Sequence, residues 1–85
     1  MRSELDDLVD DLMLMLPRDR LCEPKDLARL EHMSTAAIHQ RLHRDRIRGT
    51  RSLPPPIQVG KRGLRWAPRA VARWYAKKAL EGERK

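Results

Sequence analysis

Residues 24–48 constrain the fold more than any other stretch of this chain, because two short helical patterns lie on either side of a turn. Pro24 suits the first position of a helix, where its missing N–H is no loss. Leu27 and Leu30 then share one face of that helix. The pattern breaks just before Ser34, a residue that caps the start of a second helix well. The spacing predicts a helix-turn-helix.

The second predicted helix has an outer face that suits the major groove of DNA. At about 100° per residue, Ile38 and Leu42 point toward the first helix, and the opposite face centres on Gln40. Glutamine pairs with the adenine edge, arginine with guanine or phosphate, and alanine methyl groups with thymine methyls. A solvated face of a small domain is the alternative interpretation. The candidate DNA-reading residues are Thr35, Ala36, Ala37, His39, Gln40, Arg41, His43 and Arg44.

The charge of the chain favours a polyanionic partner. Its 85 residues carry a net charge of +7, with a pI near 10.5, and such a length suits one domain with a modest core. Residues 1–16 hold one basic and five acidic side chains, a net charge of −4. Residues 17–85 hold 18 basic and 7 acidic side chains, a net charge of +11. The basic surface therefore belongs to the domain that follows Pro17.

Several classes of protein fit this sequence poorly. A single cysteine, Cys22, excludes an internal disulfide. No apolar run approaches membrane-spanning length and the acidic N-terminus is unlike a signal peptide, so we expect a cytoplasmic, nucleoid-associated protein. His39 and His43 are spaced i, i+4 but lack a second pair of ligands, so we expect no metal site. Without a glycine-rich phosphate loop or a nucleophile–base pair, we expect no cofactor and no enzymatic activity.

Residues 1–16 are predicted to form an acidic amphipathic helix. Ser3 and Asp6 resemble a capping box, and Pro17 ends the helix. One interpretation is that the apolar side packs on its own domain and enlarges a small core. The other is that it contacts a second copy or another protein, since methionine-rich surfaces adapt well to partners. The candidate self-association residues recur every three or four positions, at Leu5, Leu8, Leu12 and Met15.

A β-hairpin is predicted from residues 57–59 and 64–66, where apolar and polar residues alternate. Its tip, residues 60–63, is basic and contains two glycines. The three prolines at 54–56 require an extended segment before it. Beside a helix-turn-helix such a hairpin is a wing that reaches phosphates or the minor groove, and a solubilising turn is the alternative. The candidate contacts of the wing and its flanks are Arg51, Lys61, Arg62 and Arg65.

A last helix is predicted from Pro68 onward, which completes a domain at residues 21–81. Val71, Trp74 and Tyr75 form its apolar face, so the aromatic side chains belong to the core. A basic stripe at i, i+4 and i+8 is either a solvated face or a set of auxiliary phosphate contacts. Its members are Arg69, Arg73 and Lys77.

The order of these elements resembles the AlpA-like and phage excisionase group of small winged-helix proteins, which is related to the MerR-type DNA-binding domain. The resemblance covers about two thirds of the chain. The connection after the second helix is longer than is usual in the group, and residues 1–16 lie outside the resemblance. The matching residues are Asp26, Leu27, Ala28, Ser34, Ile38, Leu53, Pro54, Pro56, Arg65, Trp66, Val71, Ala72, Arg73 and Trp74.

The resemblance implies a mainly α fold with a small β-hairpin, a winged helix-turn-helix that binds double-stranded DNA. Members of the group act as recombination directionality factors, which bind and bend attachment-site DNA for a tyrosine recombinase (integrase), and we expect this role. Regulation of transcription from a mobile element is the first alternative. A protein-interaction module acting through the N-terminal helix is an alternative of another class, and RNA binding a weaker one. Because one such unit makes few base contacts, we also expect self-association along DNA.

Overall fold

The computed structural model describes residues 2–83, which form four α-helices and one two-stranded antiparallel hairpin. The predicted mainly α fold with a small hairpin is therefore confirmed. Within these residues no helix has the length and apolar content needed to span a bilayer. In chain order the elements are α1 (Glu4–Met13), α2 (Pro24–Glu31), α3 (Thr35–Arg48), β1 (Ile57–Gln58), a 3₁₀ turn (Gly60–Arg62), β2 (Leu64–Arg65) and α4 (Pro68–Glu83).

Helix α1 begins with the predicted capping box. Ser3 Oγ accepts a hydrogen bond from the Asp6 amide at 3.2 Å, and Asp6 Oδ2 accepts one from the Ser3 amide at 3.4 Å. The acidic side chains of its first turn lie near the positive end of the helix dipole and stabilise it. The helix ends at Met13, earlier than predicted, and residues 14–16 continue as a turn.

The apolar side of α1 packs against α4 within one core that also contains the rest of the domain. Val9 and Leu16 are 3% and 6% exposed, whereas Met15 is 44% exposed. Three of the four candidate self-association residues, Leu5, Leu8 and Leu12, are partly buried against this core. Of the two interpretations of the stripe, the structure therefore shows packing on its own domain. The two predicted segments, 1–16 and 21–81, share a single core.

Helices α2 and α3 form a pair joined by a short turn. Pro24 is the first residue of α2, which ends at His32 in the left-handed conformation with a φ of 55°. Ser34 caps α3, and its Oγ accepts a hydrogen bond from the Ala37 amide at 3.1 Å. Leu27 and Ile38 are fully buried. The boundaries predicted between the two helices are confirmed.

The hairpin is tied to the start of the α2–α3 pair. Its strands pair Ile57 with Arg65 and Gln58 with Leu64. The backbone of Trp66 exchanges two hydrogen bonds with Cys22, at 2.7 and 3.1 Å. The Trp66 indole is 1% exposed and donates a hydrogen bond to the Pro54 carbonyl at 2.8 Å. One tryptophan thus fixes the hairpin, the proline-rich segment and the entry to α2 relative to one another.

Candidate nucleic-acid interface

Among the side chains that the structure describes, the outer face of α3 is the largest set of polar and basic groups that one element presents to solvent. Ile38 faces the core, and Gln40 lies on the opposite, exposed side. Ala37, at the edge of this face, is half-buried. The structure therefore gathers most of the predicted DNA-reading residues on one accessible surface. Those that are exposed are Thr35, Ala36, His39, Gln40, His43 and Arg44.

Arg41 does not belong to that exposed face. Its guanidinium contacts Glu31 Oε1 at 2.7 Å and donates a hydrogen bond to the Ser52 carbonyl at 3.0 Å. Its side chain is only 24% exposed. Since Arg41 follows the buried Ile38 by three residues, it lies on the inner edge of α3, against α2. Its prediction as a DNA-reading residue conflicts with this position, because its guanidinium is paired with Glu31 and Ser52 within the domain.

The network around Arg41 extends to α4. The Tyr75 hydroxyl donates a hydrogen bond to Glu31 Oε2 at 2.7 Å, so Glu31 accepts from α3 and α4 at once. Burial and the neighbouring carboxylate of Glu31 raise the pKa of Tyr75 well above its usual range, and the hydroxyl remains a donor. This network holds α3 in a fixed orientation on the body of the domain.

Asp45 fixes the segment that follows α3. Its carboxylate accepts hydrogen bonds from the Ser52 amide at 3.0 Å, the Ser52 hydroxyl at 2.7 Å and the Thr50 hydroxyl at 2.9 Å. These bonds lower the pKa of Asp45, led by the one from the Ser52 amide. The single acid of α3 is therefore turned toward the loop, and the outer face keeps the charge of its arginines. Sequence reasoning missed this role, although hydroxyl residues shortly after a helix-ending glycine are a usable signal.

An open groove of about 460 Å³ runs between α3 and the loop that leads to the hairpin. Leu53 and Pro54, which are buried, form part of its base, together with Leu42 and Leu64. Asp45 is the only acid among its lining residues, and that carboxylate is already hydrogen-bonded to the loop. The groove thus has an apolar base with basic and polar groups around it, a combination that suits a chain of anions. The exposed polar residues lining it are His39, His43, Arg46, Thr50 and Arg51.

The predicted residues of the hairpin differ in accessibility. Lys61 is exposed at the tip, whereas the side chain of Arg62 lies outside what the structure describes. Arg65 is half-buried: its guanidinium donates a hydrogen bond to the Leu64 carbonyl at 2.8 Å and lies 3.7 Å from Glu23 Oε1. Arg65 therefore braces the hairpin against the start of α2, and its prediction as a free contact of the hairpin flank is at odds with that position.

The predicted basic stripe on α4 is exposed, since Arg69, Arg73 and Lys77 all reach solvent. Helix α4 also packs against α1, however, and the side chains of α1 include five acids and no bases. Two of these acids, Asp7 and Asp10, are paired with Arg2. The α4 stripe therefore lies on a helix that packs against an acidic one, whereas the single acid of α3 is hydrogen-bonded to the loop that follows it.

The predicted DNA-reading residues end at Arg44, but helix α3 extends beyond it. It continues to Arg48 and is ended by Gly49 in the left-handed conformation, with a φ of 69°. A glycine at that position is a standard stop signal and could have extended the prediction. The extension adds Arg46, Ile47 and Arg48 to the exposed face.

Within residues 2–83, no three histidine, cysteine, aspartate or glutamate side chains are grouped so as to hold a metal ion. A scan against protein-family models, a search of curated proteins and a search of solved structures each find no match to this chain.

Proposed function

We propose that this chain is a winged helix-turn-helix protein that binds duplex DNA through the outer face of α3. The observation that carries this proposal is the segregation of charge on that helix. Its one acid, Asp45, and one of its four arginines, Arg41, are bonded inward, while Arg44, Arg46 and Arg48 are exposed around Gln40. A helix that keeps its acid inside and its bases outside is suited to a polyanion.

The dimensions of α3 fit the major groove. Its 14 residues span about 21 Å at about 1.5 Å per residue, and a groove about 12 Å wide admits one α-helix. With the Gln40 face toward the base edges, Arg44 and Arg48 lie on one flank of the helix, and His39 and Arg46 lie on the other. The flanking groups then meet the two phosphate strands, while Gln40 hydrogen-bonds an adenine.

The hairpin acts as the wing in this arrangement. Lys61 at its tip supplies a phosphate contact. The open groove beside α3 receives one sugar–phosphate strand, with His43 and Arg46 facing it from the helix and Arg51 from the loop. The two hydrogen-bond networks around Glu31 and Asp45 hold helix and loop in place before DNA arrives, so little ordering entropy is lost on binding.

Within this mode of binding we favour an excisionase-like directionality factor, acting beside a tyrosine recombinase, over a transcriptional regulator. A single reading helix makes few base contacts, so a long, bent site requires several copies. The exposed acids of α1 complement the basic body of a neighbouring copy, and such a head-to-tail contact can extend along DNA as an open array.

A protein-interaction module acting through the N-terminal helix is the competing function. It is supported by Leu14 and Met15, which are 71% and 44% exposed at the end of α1. Most of the apolar stripe is already packed within the chain's own core, so little apolar surface is left for a partner.

Selection of binding sites from a random duplex pool, followed by gel-shift titration at two salt concentrations, tests the proposal. We expect one enriched sequence, and a log affinity that falls with log salt by about 0.9 per phosphate contact. Recovery of no preferred sequence, with equal binding to scrambled duplex, would contradict it. A circular-permutation gel shift on the selected site then separates the two biological roles, since a directionality factor bends its site strongly and a simple regulator need not.

A further inference from the structure

We propose that Ile47 is a specificity-determining residue that contacts the methyl group of a thymine in the major groove. This inference rests on the proposed function, because it assigns a partner to a side chain on the face that is proposed to read DNA. Ile47 is 70% exposed, although isoleucine is among the residues most often buried in proteins. One exposed aliphatic residue is ordinary by itself. Its position on α3 gives it significance.

Ile47 lies on the side of α3 that is farthest from the core. It follows Ile38 by nine residues, or two and a half turns, so the two isoleucines point in opposite directions. Ile38 is 0% exposed, in contrast to Ile47. At spacings of four, three and four residues, Ala36, Gln40, His43 and Ile47 form one ridge along the outer face. The ridge has an amide and an imidazole at its centre and apolar groups at both ends.

The residues beside Ile47 indicate which partner the ridge meets. Arg44, Arg46 and Arg48 are exposed around it, and none of the three takes part in an ion pair within residues 2–83. An apolar protein surface docked there would leave these charges desolvated and unpaired, at high cost. Duplex DNA avoids this cost, because its phosphate strands flank a groove whose base edges include the thymine methyl, the main apolar group exposed there. Charge and apolarity together therefore fit the major groove.

The spacing along the ridge sets where that thymine lies. Gln40 and Ile47 are seven residues apart, which is about 10 Å along the helix axis. Successive base pairs are about 3.4 Å apart. If Gln40 reads an adenine, the thymine contacted by Ile47 lies two to three base pairs from it, toward the C-terminal end of α3.

Removing a single methyl group from the DNA tests the inference. Each thymine of the selected site is replaced in turn by deoxyuridine, which keeps the base pair and loses only the methyl. We expect the wild-type protein to bind about fourfold more weakly at one position, the loss that corresponds to one buried methyl-sized group. The adenine read by Gln40 is the one whose replacement lowers the affinity of the wild-type protein but not that of Gln40→Ala. The methyl-sensitive thymine should lie two to three base pairs from this adenine.

The same series is then repeated with Ile47→Ala. This variant should bind the parent site about fourfold more weakly and lose no further affinity with deoxyuridine, because the protein half of the contact is gone. Leu14→Ala is the matched control, since Leu14 is equally exposed but lies in the turn that follows α1, and it should keep the full deoxyuridine effect. Circular dichroism should show Ile47→Ala folded as the wild type, as expected for an exposed position.

Two results would overturn the inference. One is wild-type affinity of Ile47→Ala for the parent site, and the other is a deoxyuridine effect that persists undiminished in Ile47→Ala. Either could occur while Gln40-dependent site selection is intact, which would leave the proposed function standing. Failure of the wild-type protein to select any duplex sequence would contradict both the proposed function and the inference about Ile47.

Discussion

Helices α1 and α3 use their surfaces in opposite ways. α1 carries five acids and packs its apolar side on α4, with Val9 buried. α3 is four residues longer, yet Ile38 is its only buried residue, and it carries four arginines against one acid. The apolar side of α1, which has the stronger amphipathic pattern, is covered by its own chain. Most of α3, which has the weaker pattern, is accessible. The strong pattern of α1 marks a surface that packs in the core, whereas the exposed face of α3, with its unexplained apolar residue, is the surface that we propose as an interface.

The largest expected effect comes from removing α1. Deleting residues 1–16 removes Val9 and Leu16 from the core and exposes the surface of α4 that they cover. The loss should reach about 5 kcal/mol or more, comparable to the whole stability of a small domain. Circular dichroism with thermal melting should then show an unfolded or molten chain. Leu14→Ala, which removes an exposed side chain of the same segment, should change stability by less than about 0.5 kcal/mol. A truncated chain that melts like the wild type would show that α1 is not part of the core.

Replacing Asp26 should have the next largest effect on stability, and this effect should depend on pH. Burial alone would raise the pKa of Asp26, but hydrogen bonds from Arg20 and from the Glu23 amide outweigh it, and the pKa lies below its ordinary value of 3.8. The Arg20 guanidinium contacts Asp26 at 3.0 and 3.3 Å, and the Glu23 amide does so at 2.8 Å. Asp26→Asn should therefore cost about 1–3 kcal/mol at neutral pH.

The sign of the pH dependence follows from the lowered pKa. A carboxylate whose pKa is depressed by folding stabilises the native state fully above its unfolded value, and that stabilisation is lost as the pH falls through the folded value. The difference in unfolding free energy between wild type and Asp26→Asn should thus be constant above about pH 5 and shrink below 3.8. Urea unfolding at a series of pH values measures it. A difference that does not change with pH would show that the ionised carboxylate is not what stabilises the start of α2.

Arg41 and Arg44, three residues apart on α3, sharpen the contrast between the inner and outer sides of that helix. Arg41→Ala should lower stability by about 1–2 kcal/mol, because Glu31 Oε1 and the Ser52 carbonyl each lose a donor. Arg44→Ala should leave stability within about 0.5 kcal/mol but weaken binding to every duplex, since Arg44 is exposed on the flank of the proposed DNA-reading face. Chemical denaturation and gel shifts on both variants check this. Equal effects of the two changes on stability would remove the distinction between the two sides.

The hairpin supplies the smallest expected effect. Lys61→Ala should reduce the slope of log affinity against log salt by about 0.9, the value of one phosphate contact, without changing which sequence is preferred. Arg65→Ala is the comparison, because its guanidinium is engaged with Glu23 and the Leu64 carbonyl. Arg65→Ala should lower the free energy of unfolding, and it should reduce the slope of log affinity against log salt less than Lys61→Ala does. An unchanged slope for Lys61→Ala would exclude the hairpin tip from the interface.

Much of this fold is readable from local signals. Pro24 and Ser34 mark the starts of two helices, and alternation in residues 57–59 and 64–66 marks the hairpin, because each signal acts within a few residues of itself. The internal role of Arg41 is not readable in this way, since it depends on Glu31 and on Tyr75, which is 44 residues from Glu31 in sequence. Local signals also do not show which element covers the apolar side of α1. Apolar spacing shows that a surface must be covered, and only tertiary packing shows by which element.

The most direct test of base reading by α3 compares the binding of Gln40→Ala to two duplexes, the sequence selected from a random pool and a scrambled version of it. Gln40 is exposed at the centre of the α3 ridge, and its side chain makes no hydrogen bond within residues 2–83. Lys77→Ala, an exposed change on α4, serves as the control. If α3 reads bases, Gln40→Ala should lose about 1–3 kcal/mol on the selected site, roughly five- to 150-fold in affinity, and almost nothing on the scrambled duplex. Equal losses on both duplexes would contradict base reading by α3.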